Sequence, residues 1–208
     1  YYQKLGGLRV GIQPSELKPN TKPPYSPQDF QPRETSLQKT FVTYNNYHGY
    51  GSYELSGILN ITEQVLIRPA FRIFIEQGTC MEEDYQLLKE KLRGNIASYI
   101  PYMGKNEFLL SILPEGVREV KKTGESETGI DTLVFNGENE VIKGDHISRG
   151  STKIYRICEE YPYLLENSHY RFKKSIYSNI TFEINYPVIE EKEYLLVTFD
   201  ENTTAFLF

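Results

Sequence analysis

Residues 68–112, RPAFRIFIEQGTCMEEDYQLLKEKLRGNIASYIPYMGKNEFLLSI, decide how this chain is read. Phe71, Ile73 and Ile75 alternate with Arg72 and Phe74. That is the two-residue period of a strand, in aromatic and β-branched residues that suit a half-buried pleated surface. Thr79 and Glu82 then stand three apart, the spacing of a capping box at a helix start. Tyr85, Leu88 and Leu92 recur at i, i+3, i+7, which predicts a helix over 82–93 with one apolar stripe and Gly94 as its stop. A Tyr-, Pro- and Gly-bearing loop from Tyr99 leads into a further strand over 108–112, with Phe108, Leu110 and Ile112 as core positions. Strand, helix, glycine loop and strand make half of a ferredoxin-like unit, a common base for RNA recognition.

Upstream, the run Leu8 to Ile12 supplies another strand, so the predicted sheet contains 8–12, 65–75 and 108–112 with the helix on one face. Residues 13–39 hold Pro14, Pro19, Pro23, Pro24, Pro27 and Pro32, which keep the segment extended and out of a sheet interior. Residues 40–61 place Asn45-Asn46, Gly49, Gly51 and Gly57 between Tyr-, Val- and Ile-bearing pieces, which predicts a protruding β-hairpin. Residues 113–208 read as short strands at 130–135, 153–158, 181–186, 193–199 and 205–208. The predicted fold class is therefore α+β: an RRM-type ferredoxin-like sheet over 1–112 with its hairpin, and a β-rich C-terminal region over 113–208.

A chain of 208 residues can bury one sizeable core. No apolar run reaches the ~18–20 residues that a membrane span needs. The expected location is the cytoplasm, with Cys80 and Cys158 as reduced thiols that lack zinc-site or redox spacing. The net charge of −5 is unusual for a free-standing RNA-binding domain, but it is unevenly spread. Residues 1–75 carry 8 Lys/Arg against 5 Asp/Glu, a net +3, and residues 76–208 carry 15 against 23, a net −8. A phosphate backbone would be drawn to the first part and repelled by the second. The acidic part is expected to face other proteins.

Chemistry-bearing residues are sparse. His48, His146 and His169 form no pair at metal-ligand spacing, and there is no nucleophile elbow or phosphate-cradling glycine loop. No cofactor is expected. Metal-independent RNA cleavage needs only a base and cations near the phosphate, which Tyr47-His48 with Lys39, or His169 to Lys174, could supply. Binding is the better fit. Tyr44, Tyr47 and His48 set aromatic faces among amides and turn glycines, and base stacking needs no particular base. Arg33, Lys39 and Arg68 are candidate phosphate contacts, and Lys105 in the loop after Gly104 is a further RNA-contact candidate.

The same residues carry a resemblance. Arg68-Pro69, Arg72-Ile73, Tyr99 to Gly104 and Asn106-Glu107-Phe108, with Leu8 to Ile12 and Pro32 to Thr35 upstream, resemble the Cas-five family of type I CRISPR systems, type I-B members above all. The resemblance spans roughly residues 1–112. It implies a non-catalytic Cascade subunit that binds and caps the 5′ handle of the guide RNA in antiviral defence. Its implied neighbours are a Cas-seven backbone subunit and the large subunit, with target DNA met only indirectly. It also implies that the hairpin acts as a thumb near the junction of handle and spacer. The family pattern places a strand, a glycine-containing segment and a helix ahead of the matching part, for which Tyr1 leaves no room. The alternative the family offers is an endoribonuclease that matures the guide precursor, as type I-C members do.

Overall fold

The computed structural model describes residues 7–33, 38–46, 59–103, 108–123, 127–135, 141–142, 155–166, 169–177, 181–200 and 203–208. The chain begins with β1 (Arg9–Leu17), a 3-10 turn at Pro27–Asp29, β2 (Phe30–Pro32), the pair β3 (Lys39–Asn46) and β4 (Leu59–Leu66), β5 (Ala70–Glu76) and helix α1 (Glu82–Arg93). It continues through β6 (Lys121–Lys122), β7 (Glu127–Gly129), β8 (Val134–Phe135), β9 (Tyr155–Glu166), β10 (His169–Tyr177) and β11 (Thr181–Glu183). Helix α2 (Tyr186–Glu191), β12 (Leu195–Asp200) and β13 (Thr203–Leu207) complete it. The architecture is α+β, with antiparallel sheets in the orders β2-β1-β5, β13-β12-β6, β8-β10-β9, β11-β7 and β3-β4.

In the first sheet β1 lies between β2 and β5, with Val10 opposite Ile75, Ile12 opposite Ile73 and Gly11 opposite Phe74. Pro14 therefore occupies a central strand, contrary to the expected exclusion of this segment from a sheet. Its carbonyl accepts the Arg33 amide at 2.9 Å, and β2 pairs with β1 only from Ser15 onward, so the missing proline N–H falls where the β2 ladder has not begun.

On the side away from β5, the edge of β1 is used. Val10 exchanges both backbone hydrogen bonds with Phe208, and the Leu133 amide donates to the Ile12 carbonyl at 2.7 Å. Backbone hydrogen bonds thus join β1 to residues on the far side of residue 112. Most of the core lies beyond that position. Ile130, Val134, Val141, Ile142, Ile184, Ile189, Leu196 and Phe206 form the larger cluster. Phe74 joins Val197, Ala205 and Leu207 in the second. Gly11 lets the two sheets meet, because a Cβ there would lie 2.6 Å from Leu207 Cδ2 and 2.8 Å from the Phe206 carbonyl.

Helix α1 has the bounds its periodicity predicts, but its ends are made differently. The N-cap is Met81, without a side-chain cap, so the Thr79–Glu82 capping box does not form. The Thr79 amide is instead taken by the Gly7 carbonyl, which delays the helix start. Three acids in the first turn and Lys91 and Arg93 in the last complement the helix dipole. At the far end Asn95 N–H reaches Leu92 O and Ile96 N–H reaches Lys91 O. This is a Schellman closure in which Asn95 (φ 49), and not Gly94, takes the left-handed position.

Three further expectations are corrected. Residues 108–112 form no strand. Leu109 makes an isolated bridge to Tyr102, and Leu110 and Ile112 remain exposed. Positions 65 and 66 belong to the hairpin, since β4 runs to Leu66. The predicted strand over 181–186 stops at Glu183, and Tyr186 opens α2 with Pro187 in its first turn, where the missing amide is harmless.

Candidate nucleic-acid interface

The hairpin pairs β3 with β4 from Lys39 opposite Leu66 to Asn46 opposite Leu59. Strand alternation puts Lys39, Phe41 and Thr43 on one face with Thr62, Gln64 and Leu66. Every one of these side chains is exposed, and Phe41 is 69% so. Thr43 Oγ1 and Thr62 Oγ1 meet across this face at 3.1 Å. Val42, Glu63 and Val65, on the opposite face, are half-buried. The hairpin thus offers one open polar surface bearing an aromatic ring and a cation.

Its base is fixed by the Ile67 amide, which donates to the Gln38 carbonyl at 2.9 Å. Arg68 follows with φ 46, a left-handed turn that redirects the chain into Pro69 and β5. Arg68 is exposed there, and Lys39 opens the partner strand, so both cations belong to the hairpin base.

Arg33 differs. It is buried, its Nε donates to the Ser15 carbonyl at 3.2 Å, and its guanidinium stands 3.7 Å from Glu16. In this fold it braces β1 and is not presented to a phosphate. Tyr44 lies opposite Ile61 in the hairpin ladder. Tyr47, His48 and Lys105 lie outside the described residues. Of the groups considered for RNA cleavage, His169 sits opposite Glu166 at the start of the β9–β10 pair, and Lys173 lies four residues on along β10.

Phe41 was not among the sequence candidates. Counting two residues on from Lys39 would have found it, since alternation puts both on one face.

Beside the hairpin base, β5, α1 and the extended segment 108–118 enclose an open groove of about 1940 Å³. The Tyr85 hydroxyl donates to the Ile75 carbonyl at 3.4 Å and anchors the helix to the sheet. Burial raises the Tyr85 phenol above its ordinary pKa, and the Glu76 and Glu82 carboxylates push the same way. Arg72 grips Glu115 through two nitrogens, at 2.7 and 2.9 Å, and its guanidinium lies over Phe74 and Phe199. This pair ties the far wall of the groove to β5.

Cys80 is buried, and its thiol lies 3.7 Å from the Met81 carbonyl. Among the described residues no three His, Cys, Asp or Glu side chains cluster as metal ligands would, and no helix is long and apolar enough to cross a membrane. Comparison of the chain with protein-family models, with curated proteins and with solved structures gave no match.

Proposed function

We propose that this chain is a non-catalytic, RNA-binding subunit of a type I CRISPR surveillance complex, holding the 5′ handle of the guide RNA in the cytoplasm. The supporting observation is the coincidence of motif and geometry. Arg68-Pro69 of the Cas-five-like pattern falls at the turn that joins the hairpin to β5, Arg72-Ile73 lies within β5, and Arg68 is exposed at that turn. The RNA path in this reading follows the open hairpin face, with Lys39 and Arg68 on phosphates and Phe41 under a base. In the same reading Tyr47 and His48, which follow β3 in sequence, extend the aromatic surface and Lys105 adds a cation, whereas Tyr44 alternates with Lys39 and Phe41 along β3 and is not counted on their face. Arg33 is left out of the path because Ser15 and Glu16 hold it. The acidic C-terminal part turns to the Cas-seven backbone and the large subunit, and target DNA is met only through the guide.

The test is binding of labelled handle RNA by the assembled complex at two salt concentrations. Stacking of ~1–3 kcal/mol per base sets the scale, so Phe41→Ala should weaken binding roughly five-fold or more at either salt. Lys39→Ala and Arg68→Ala should weaken it and also flatten its salt dependence, because each phosphate contact releases counterions. Unchanged binding in all three variants with normal assembly would overturn the reading. The endoribonuclease alternative is checked by incubating the protein with labelled repeat RNA and a chelator, and cleavage that survives would replace the proposal.

A further inference from the structure

The two edges of the first sheet are treated differently. On β1 the carbonyls of Val10, Ile12 and Pro14 all accept hydrogen bonds from outside the β1–β5 pair. Antiparallel strands alternate between residues whose polar groups face the partner and residues whose groups face away. Val10, Ile12 and Pro14 face away from β5, so their opposite numbers Ile75, Ile73 and Phe71 must face away from β1. The N–H and C=O groups of Phe71 and Ile73 therefore point across the free edge of β5, into the groove. No backbone group among the described residues bonds them, and only the Ile75 carbonyl is met, by the Tyr85 hydroxyl.

The walls repeat this pattern. Ile73 is 58% exposed although it sits mid-strand. Leu88 and Leu92 line the groove from α1, and no residue of that helix is buried. Leu110 and Ile112 line it from the far wall, which forms no ladder of its own. Two amide–carbonyl pairs spaced two residues apart, flanked by apolar side chains, are what one added strand satisfies.

Charge narrows the occupant. Inside, Glu115 and Glu76 are neutralised by Arg72 and Arg9. Arg68, Lys89 and Arg93 stand on the groove's lining as cations. The geometry points to a strand-acceptor site. β5 takes an extended segment of another polypeptide, apolar at alternate positions and acidic at its flanks, which completes the sheet by backbone pairing.

The probe is a short synthetic peptide that alternates valine and threonine with an aspartate at each end, titrated into the full chain. Binding should be saturable and should slow amide exchange at Phe71 and Ile73. N-methylation of the peptide amides that face β5 removes backbone hydrogen bonds while leaving the side chains, and should weaken binding roughly ten-fold or more. Ile73→Lys changes an already exposed side chain, so the protein should keep its melting temperature while losing the peptide. Four results would each overturn the inference: no saturable binding, equal binding of the N-methylated peptide, Phe71 and Ile73 amides already slow in the free protein, or self-association through β5 that Ile73→Lys abolishes.

Discussion

At the scale of single residues, Gly11 is the position with least room. It lies in β1 where that strand meets β13, with the Phe206 carbonyl and the Leu207 side chain against the place a Cβ would take. The Leu207 methyl can rotate away, but the carbonyl belongs to a paired strand and cannot move without breaking the Val10–Phe208 seam. Gly11→Ala should cost about 1–3 kcal/mol, measured by chemical denaturation, with no local rescue available. The sequence marks Gly11 only as a strand glycine, because the clash comes from a residue nearly two hundred positions away. Arg33 carries the same lesson for function. A lone arginine after a proline-rich run has the composition of a phosphate contact, and only the pairing of β2 with β1 brings it onto Ser15 and Glu16.

At the scale of elements, α1 and the hairpin are the parts most legible in the sequence, because each is set by a local period. The helix bounds and the paired strands follow from spacing within about twenty residues. What the helix rests on is not local, and it buries none of its own side chains. Tyr85 is its main polar tie to β5, and its phenol is raised above the ordinary value near ~10. A raised acid is favoured in its protonated form by the folded state. This contribution is therefore present while the phenol is protonated in both states and is lost as pH climbs through the folded value. Wild type should lose stability above about pH 10 more steeply than Tyr85→Phe, followed by thermal melts over an alkaline series, since the comparison cancels the other tyrosines. Equal slopes would mean that the helix is held by other contacts. The missing strand at 108–112 has the converse cause: an apolar alternation gives a strand only when a partner strand stands beside it.

At the scale of the molecule, the N-terminal sheet and the C-terminal strands share one core. Phe206 is fully buried, with Tyr194 at 5.2 Å and Phe208 at 5.9 Å from its ring, and its backbone exchanges hydrogen bonds with the Thr132 hydroxyl. Phe206→Ala should cost about 3–5 kcal/mol. Because Phe74 of β5 packs in the adjoining cluster with Val197, Ala205 and Leu207, the loss should appear as one cooperative transition over both halves. Two separated transitions by circular dichroism and hydrogen exchange would show instead that the halves are independent. Composition and strand count made the α+β class legible, but the location of the core was not, since apolar residues are spread along both halves.

The seam between Val10 and Phe208 joins positions separated by almost the whole sequence. Contacts of that span close slowly, whereas the hairpin and α1 need only neighbours. During synthesis two stretches of the first sheet are thus bare: the N-terminal part of β1, on the side away from β5, until β13 has emerged, and β5 for as long as its groove is empty. Bare strand edges invite pairing with other nascent chains. The interval before β13 arrives is accordingly when the chain exposes most unpaired strand edge, and changes that weaken β13 should first appear as poor yield in the cell, before any loss of binding by the molecules that do fold.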